Sequence, residues 1–220
     1  MAEALHVGAR AEAGWTTAEE LAGPRLQDAL EIVGRQLETD RPDIRGQRIV
    51  EVVAWWIALP AAHALLDDRL PDLSPANTRV WVDPEDAPDG IGTLVLEERY
   101  HEPSLSLLHE FVDTHLTELV NVVCAHTRRP KKALWRGVND RVAGALIWAG
   151  QTRGMEARGC ELAEAAFADL DLRTLELTDY SMLVHVRSGC CLYYRIQGKV
   201  KCWSCPLLTD DERRALTTSG

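Results

Sequence analysis

Apolar residues recur every three or four positions along most of this chain, the spacing of helices with one buried face. From Pro24 to Leu37 the stripe is Leu26, Leu30, Val33 and Leu37. From Ile44 to Leu66 it is Ile49, Val52, Val53, Trp56 and Ile57. Pro60 is expected to kink or split that helix, because proline lacks the N–H donor and crowds the preceding turn. Ser104 to Ala125 carries the strongest pattern, with Leu105, Leu108, Val112, Leu116, Leu119 and Val123, and Pro130 ends it. Lys131 to about Thr152 reads as another helix, and Glu161 to Phe167 as a short one that could start at Met155.

Strand patterns are fewer. Thr78–Val82 and Gly92–Glu97 read as partners across a turn at Pro88-Asp89-Gly90, and Met182–Val186 as a strand leading into the last segment. The Ala/Gly/Glu-rich start, to about Thr17, is expected to be loose or weakly helical, and the polar tail after Pro206 to fray. The fold class is α+β: a mainly helical domain with a small β component. A composition shift near Asp179 divides the chain into residues 1–178 and a small C-terminal subdomain, residues 179–220.

A length of 220 residues suffices for one sizeable core. The net charge of −10 argues against a general nucleic-acid binder, which needs a basic face. No export signal is visible near Met1, and Glu51, Pro60 and His63 interrupt the longest apolar stretch, Ile49–Leu66. The expectation is a cytoplasmic protein with no transmembrane segment, where clustered cysteines bind metal more often than they form disulfides.

Four of the six cysteines fall within residues 190–205 as C-C-x10-C-x2-C: Cys190, Cys191, Cys202 and Cys205. The residues between the pairs read as a β-hairpin, Leu192–Ile196 out and Val200–Trp203 back, with Gln197-Gly198-Lys199 at the turn. That register sets Cys190 opposite Cys205 and Tyr193 opposite Cys202. Four thiolates suit zinc or an iron–sulfur cluster, and a redox disulfide pair is a third option. Neighbouring side chains on a strand point to opposite faces, so adjacent cysteines serve one ion only if the backbone bends at Gly189. Two irons relieve that crowding, so the adjacency leans towards a binuclear cluster.

Cys124 and Cys160 stand alone and read as small buried hydrophobes. The histidines are scattered, and none makes a zincin-like pair with an acidic partner. Gly90-Ile91-Gly92 lacks the third glycine of a dinucleotide fingerprint, so any electron-transfer role needs an outside donor. Arg187, Arg195, Lys199 and Lys201 crowd the cysteine segment; they are either solvated charges or cations that raise the potential of a negative cluster. Trp203, between two cysteines, either shields the centre or contacts a substrate. Trp55, Trp56, Trp135 and Trp148 read as core.

The run from Arg187 to Pro206 resembles the C-terminal signature of the FhuF-like ferric siderophore reductases: an arginine before the adjacent cysteine pair, the run Leu192–Arg195, then Cys202, Cys205 and Pro206. The resemblance implies a [2Fe-2S] cluster held by Cys190, Cys191, Cys202 and Cys205, with no catalytic residue beyond it. It implies one-electron reduction of a ferric siderophore, with hydroxamates the expected class, releasing Fe(II) in the cytosol. Residues 1–178 would dock the substrate, and a ferredoxin or flavoprotein reductase would supply electrons. The rival reading is a regulatory or interaction protein whose four cysteines hold a structural zinc or a redox-sensing cluster.

Overall fold

The computed structural model describes residues 6–7, 15–82, 91–168, 172–177 and 182–217. Its core is built on α3 (Pro42–Leu65), which packs against α2 (Leu26–Leu37), α4 (Leu105–Thr127) and α5 (Lys131–Thr152). The expected stripes face inward: Leu30, Val33, Ile49, Val53, Ile57, Leu108, Leu116 and Leu119 are all buried in one cluster. A short α1 (Ala18–Ala22) begins with a capping box in which Thr17 and Glu20 satisfy each other's backbone N–H groups. Ser104 caps α4 by accepting from the Leu107 N–H, and α6 (Glu156–Ala166) packs along α5.

Two helix expectations change. Pro60 lies inside α3 and does not split it, because α3 is held on several sides by packing. α3 also starts two residues earlier and ends one residue earlier than expected and, by length and composition alone, could cross a membrane. However, 78% of its apolar window is buried inside the protein, the position of a core helix.

The strands are peripheral. β4 (Thr78–Val82) and β5 (Ile91–Val95) pair antiparallel as expected, with Val80 opposite Thr93. β1 (His6–Val7) and β2 (Trp15–Thr16) complete that sheet in the order β1-β5-β4-β2. β3 (Leu70–Pro71) pairs with β6 (Tyr100–His101), and β7 (Arg173–Leu177) with β8 (Met182–Val186). The turn at Pro88–Gly90 and the boundary at 178/179 lie outside the described residues.

The C-terminal segment departs most from expectation. No β-hairpin forms between the cysteine pairs. Leu192 adopts a left-handed φ of 63°, and Tyr193–Arg195 wind into a 3-10 turn. The expected turn does form, with Gly198 at φ 77° and the Lys199 N–H donating to the Ile196 carbonyl. Its flanks lack a ladder because the backbone bonds go elsewhere: Arg195 N–H to Leu192 O, Cys205 N–H to Cys202 O, and Arg187 N–H to Ser204 O. Leu192 and Ile196 bury against Ile44 of α3, a docking that a free-standing hairpin would not give. The tail forms an element as well. Asp210–Thr217 form α7, opened by a capping box between Thr209 and Glu212.

Candidate metal centre

β8 delivers the cysteine segment to the helical core. The Gln151 side chain on α5 imitates a neighbouring strand: its amide donates to the Leu183 carbonyl and its oxygen accepts the Leu183 N–H, at 2.9 and 2.8 Å. β8 is thereby fixed along α5, and the residues after it meet two buried carboxylates.

The first is Glu51 of α3, 1% exposed. It accepts from both terminal nitrogens of Arg187, one of them at 3.0 Å, from Arg141 at 3.1 Å and from Gln47 at 2.8 Å. Burial alone would raise its pKa, because the charged form loses its hydration. The Arg187 guanidinium first, then Arg141, more than offset this and hold the carboxyl at about 2. Arg187 is itself only 7% exposed, and despite its burial Glu51 keeps it firmly protonated. The second carboxylate is Asp140 of α5. It accepts the backbone N–H groups of Ser188 and Gly189 at 2.7 and 2.8 Å, and His185 Nε2 lies 3.2 Å away. A Cβ at Gly189 would lie 3.1 Å from Arg136 Cβ and 3.3 Å from the Asp140 carboxylate, so a larger residue there would push α5 or the Asp140 side chain back by a few tenths of an ångström. Arg129 adds a third tie, donating to Gln47 and to the Cys190 carbonyl at 3.0 and 2.9 Å.

The other side of the segment is clamped by Arg213 of α7, which is fully buried. It donates to the Trp203 carbonyl, and at 2.7 Å to the Cys205 carbonyl, while Asp210 holds it at 2.8 Å. Both ends of the Cys202–Cys205 knuckle are thus pinned.

The cysteines lie between these clamps. The Cys191 and Cys202 sulfurs are 4.0 Å apart, and the Leu192 N–H points to Cys190 Sγ at 3.4 Å. Cys205 is buried, and burial first, with the nearby Cys190 and Cys191 sulfurs adding to it, raises its thiol. Cys202 is lowered to about 7, first by the hydrogen bond from Cys191, with Ser204 and the Arg187 charge assisting against burial. The same bond, with burial, raises Cys191. A thiolate is therefore available near neutral pH in a soft, all-sulfur donor set. Among the described residues, no three His, Cys, Asp or Glu side chains close around a single ion position. The Cys191–Cys202 separation is close to that of two sulfurs sharing one tetrahedral metal, so this donor set suits an iron of a cluster and zinc alike.

The remaining candidates are placed as follows. Arg187 is buried, so the solvated alternative fails for it, and its charge acts on both Cys191 and Cys202. Arg195 is exposed, 3.6 Å from Asp43. Lys201 donates to the Leu207 carbonyl, and Lys199 lies over the Tyr193 ring. Trp203 is 46% exposed. Trp148, expected in the core, is 42% exposed, whereas Trp55, Trp56 and Trp135 pack against the core. Cys124 and Cys160 are half-buried against the core, and burial raises the Cys160 thiol.

Sequence reasoning missed Glu51, Asp140, Arg129 and Arg213. Glu51 had a visible signal, a lone carboxylate inside an apolar helical stripe. Arg213 had none beyond the box Thr209–Glu212.

Residues 187–207 match the family model of the FhuF 2Fe-2S C-terminal domain. No curated protein and no solved structure matches the chain. The matched segment runs from the Arg187 clamp through the last cysteine, and the cofactor of this chain is a [2Fe-2S] cluster.

Proposed function

From residues 187–207 being a segment of the FhuF 2Fe-2S type, we propose that the protein is a cytoplasmic ferric siderophore reductase. Cys190, Cys191, Cys202 and Cys205 hold the cluster, which supplies one electron at a time when bound. The substrate is a ferric siderophore of hydroxamate type. Its hard anionic oxygens bind Fe(III) far more tightly than Fe(II), so reduction loosens the iron. One electron leaves the reduced protein, bound Fe(III) becomes Fe(II), and a ferredoxin or flavoprotein reductase restores the protein. No proton or group is transferred to the chelate, so no acid–base dyad is needed.

The observation that carries this reading is the four-cysteine loop seated on buried Arg187. Arg187 sets a fixed positive charge beside the cysteines, while Glu51 and Asp140 keep it ionised and immobile. A nearby fixed cation favours the reduced, more negative state. Asp140 and Arg129 orient the backbone at residues 188–190, and Arg213 orients it at 203–205.

The test is to reduce the holoprotein chemically and mix it with ferric desferrioxamine and an Fe(II) trap. The expected result is reoxidation with stoichiometric trapped Fe(II), and no reduction by NADH or NADPH alone. Holoprotein that stays reduced across a panel of ferric siderophores is not a siderophore reductase.

A further inference from the structure

Beside the cysteine loop is an open cleft of about 180 Å³ between α3, α5, β8 and the Cys202–Cys205 knuckle. Three indoles from three elements line it: Trp55 of α3, Trp148 of α5 and Trp203 of the knuckle. Trp148 and Trp203 are among the exposed large hydrophobic residues, so neither is accounted for by the core. The inner wall carries His185 and Arg187, which are 8% and 7% exposed. His185 Nδ1 and Arg187 Nε are buried and make no hydrogen bond, although Asp140 lies 3.6 Å from the latter. Buried polar groups without partners are rare in native proteins and mark places where a partner is missing.

We infer that this cleft is the docking site for one face of the ferric siderophore, a ferric hydroxamate chelate. The inference rests on the reductase reading above. The cleft is too small to enclose a hexadentate chelate, and outer-sphere electron transfer needs only edge contact. Hydroxamate chelates present methylene spacers beside oxygens that carry negative charge. The spacers fit against indole faces, and the oxygens match the partly exposed Arg141 guanidinium and the Ser204 hydroxyl, with the buried Arg187 charge behind them. Contact at Trp203 and Ser204, between two of the cysteines, brings the chelate to the cluster segment.

A larger cleft of about 540 Å³, lined by Arg35, Arg41, Arg45 and Arg195, is the competing location. It meets the cysteine segment only at residues 195–197, the turn farthest along the chain from both cysteine pairs.

The test uses oxidised holoprotein and the redox-inert gallium(III) complex of desferrioxamine, with affinity measured by titration calorimetry. Trp148→Ala, on α5 away from the cysteines, should weaken binding about tenfold, the usual loss for an aromatic contact at the centre of a site. Trp203→Ala should do the same in preparations whose visible cluster absorbance is unchanged. Trp148→Ala should still be reoxidised at the wild-type rate by ferricyanide, which needs no shaped site. Unchanged gallium-chelate binding in Trp148→Ala, with wild-type protein still reducing the ferric chelate, overturns the cleft but leaves the reductase reading intact. Loss of binding in Arg35→Ala with none in Trp148→Ala moves the site to the larger cleft and also overturns the proposal. Wild-type holoprotein that neither binds the gallium chelate nor reduces the ferric one removes both.

Discussion

Glu51 shows most directly how single residues carry this centre. A carboxylate in the middle of an apolar helix is costly unless charge and hydrogen bonds surround it. Here Arg187, Arg141 and Gln47 do so. Because its folded value, about 2, lies below the 4.5 of an unperturbed glutamate, ionised Glu51 stabilises the fold fully above pH 4.5. That contribution, on the order of 3 kcal/mol, declines as pH falls towards 2. Glu51→Gln should therefore cost roughly 3 kcal/mol at pH 7, since it leaves Arg187 buried without its counter-charge. Denaturant titrations from pH 7 to pH 3 should also show a shallower acid decline in Glu51→Gln than in wild type. Equal stability of both proteins at pH 7 would mean that the ion pair contributes nothing. The cysteines allow a second test at this scale. Serine at Cys190, Cys191, Cys202 or Cys205 should each lower iron and acid-labile sulfide per chain, whereas Cys124→Ser and Cys160→Ser should retain both. Full retention in any of the first four variants removes that residue from the ligand set.

At the scale of elements, α7 is the unexpected participant. Its eight residues bury one arginine under the Cys202–Cys205 knuckle, where Arg213 satisfies the Trp203 and Cys205 carbonyls. Removing that donor costs about 1–3 kcal/mol for each carbonyl left without a partner. Arg213→Ala should speed amide exchange across residues 199–217 and loosen iron retention, with exchange in α3 and α5 unchanged. If the cluster survives chelator challenge as well in Arg213→Ala as in wild type, α7 is only an appendage. β8 plays the corresponding part on the other side. It reaches α5 through Gln151, and Arg187 follows directly after it.

At the scale of the whole molecule, the helical core and the cysteine segment differ in what holds them. The core has its own continuous apolar cluster across α2 to α6. The small second cluster beneath the cysteine segment has only Ile44, Leu192 and Ile196 buried. Such a segment depends on its metal for much of its order. Removing iron should leave the helical far-UV signal and the slow exchange of α3–α5 in place, while residues 187–213 lose protection. Global unfolding of the apoprotein would show that the ion-pair network beneath the segment transmits the loss to the core.

Helices α2 to α6, the β4–β5 pair, the β8 strand and the cysteine spacing were legible in the amino-acid sequence, because each is written in local periodicity or in residues close along the chain. Leu105–Thr127 and Lys131–Thr152 lie almost where their stripes place them. The shape between the cysteine pairs was not legible. Over five residues, Leu192 to Ile196 satisfies a strand pattern as well as a single wound turn, and docking against Ile44 decided for the turn. The helix in the tail and the burial of Arg187 were likewise tertiary outcomes. Glu51 and Arg187 are 136 positions apart, and nothing local to either says that they meet. Sequence by itself determined the chemistry on offer, four thiols within residues 190–205, because that chemistry resides in side-chain identity. Tertiary structure alone decided where the charges lie around it, because buried charges take their partners from whatever the fold brings within reach.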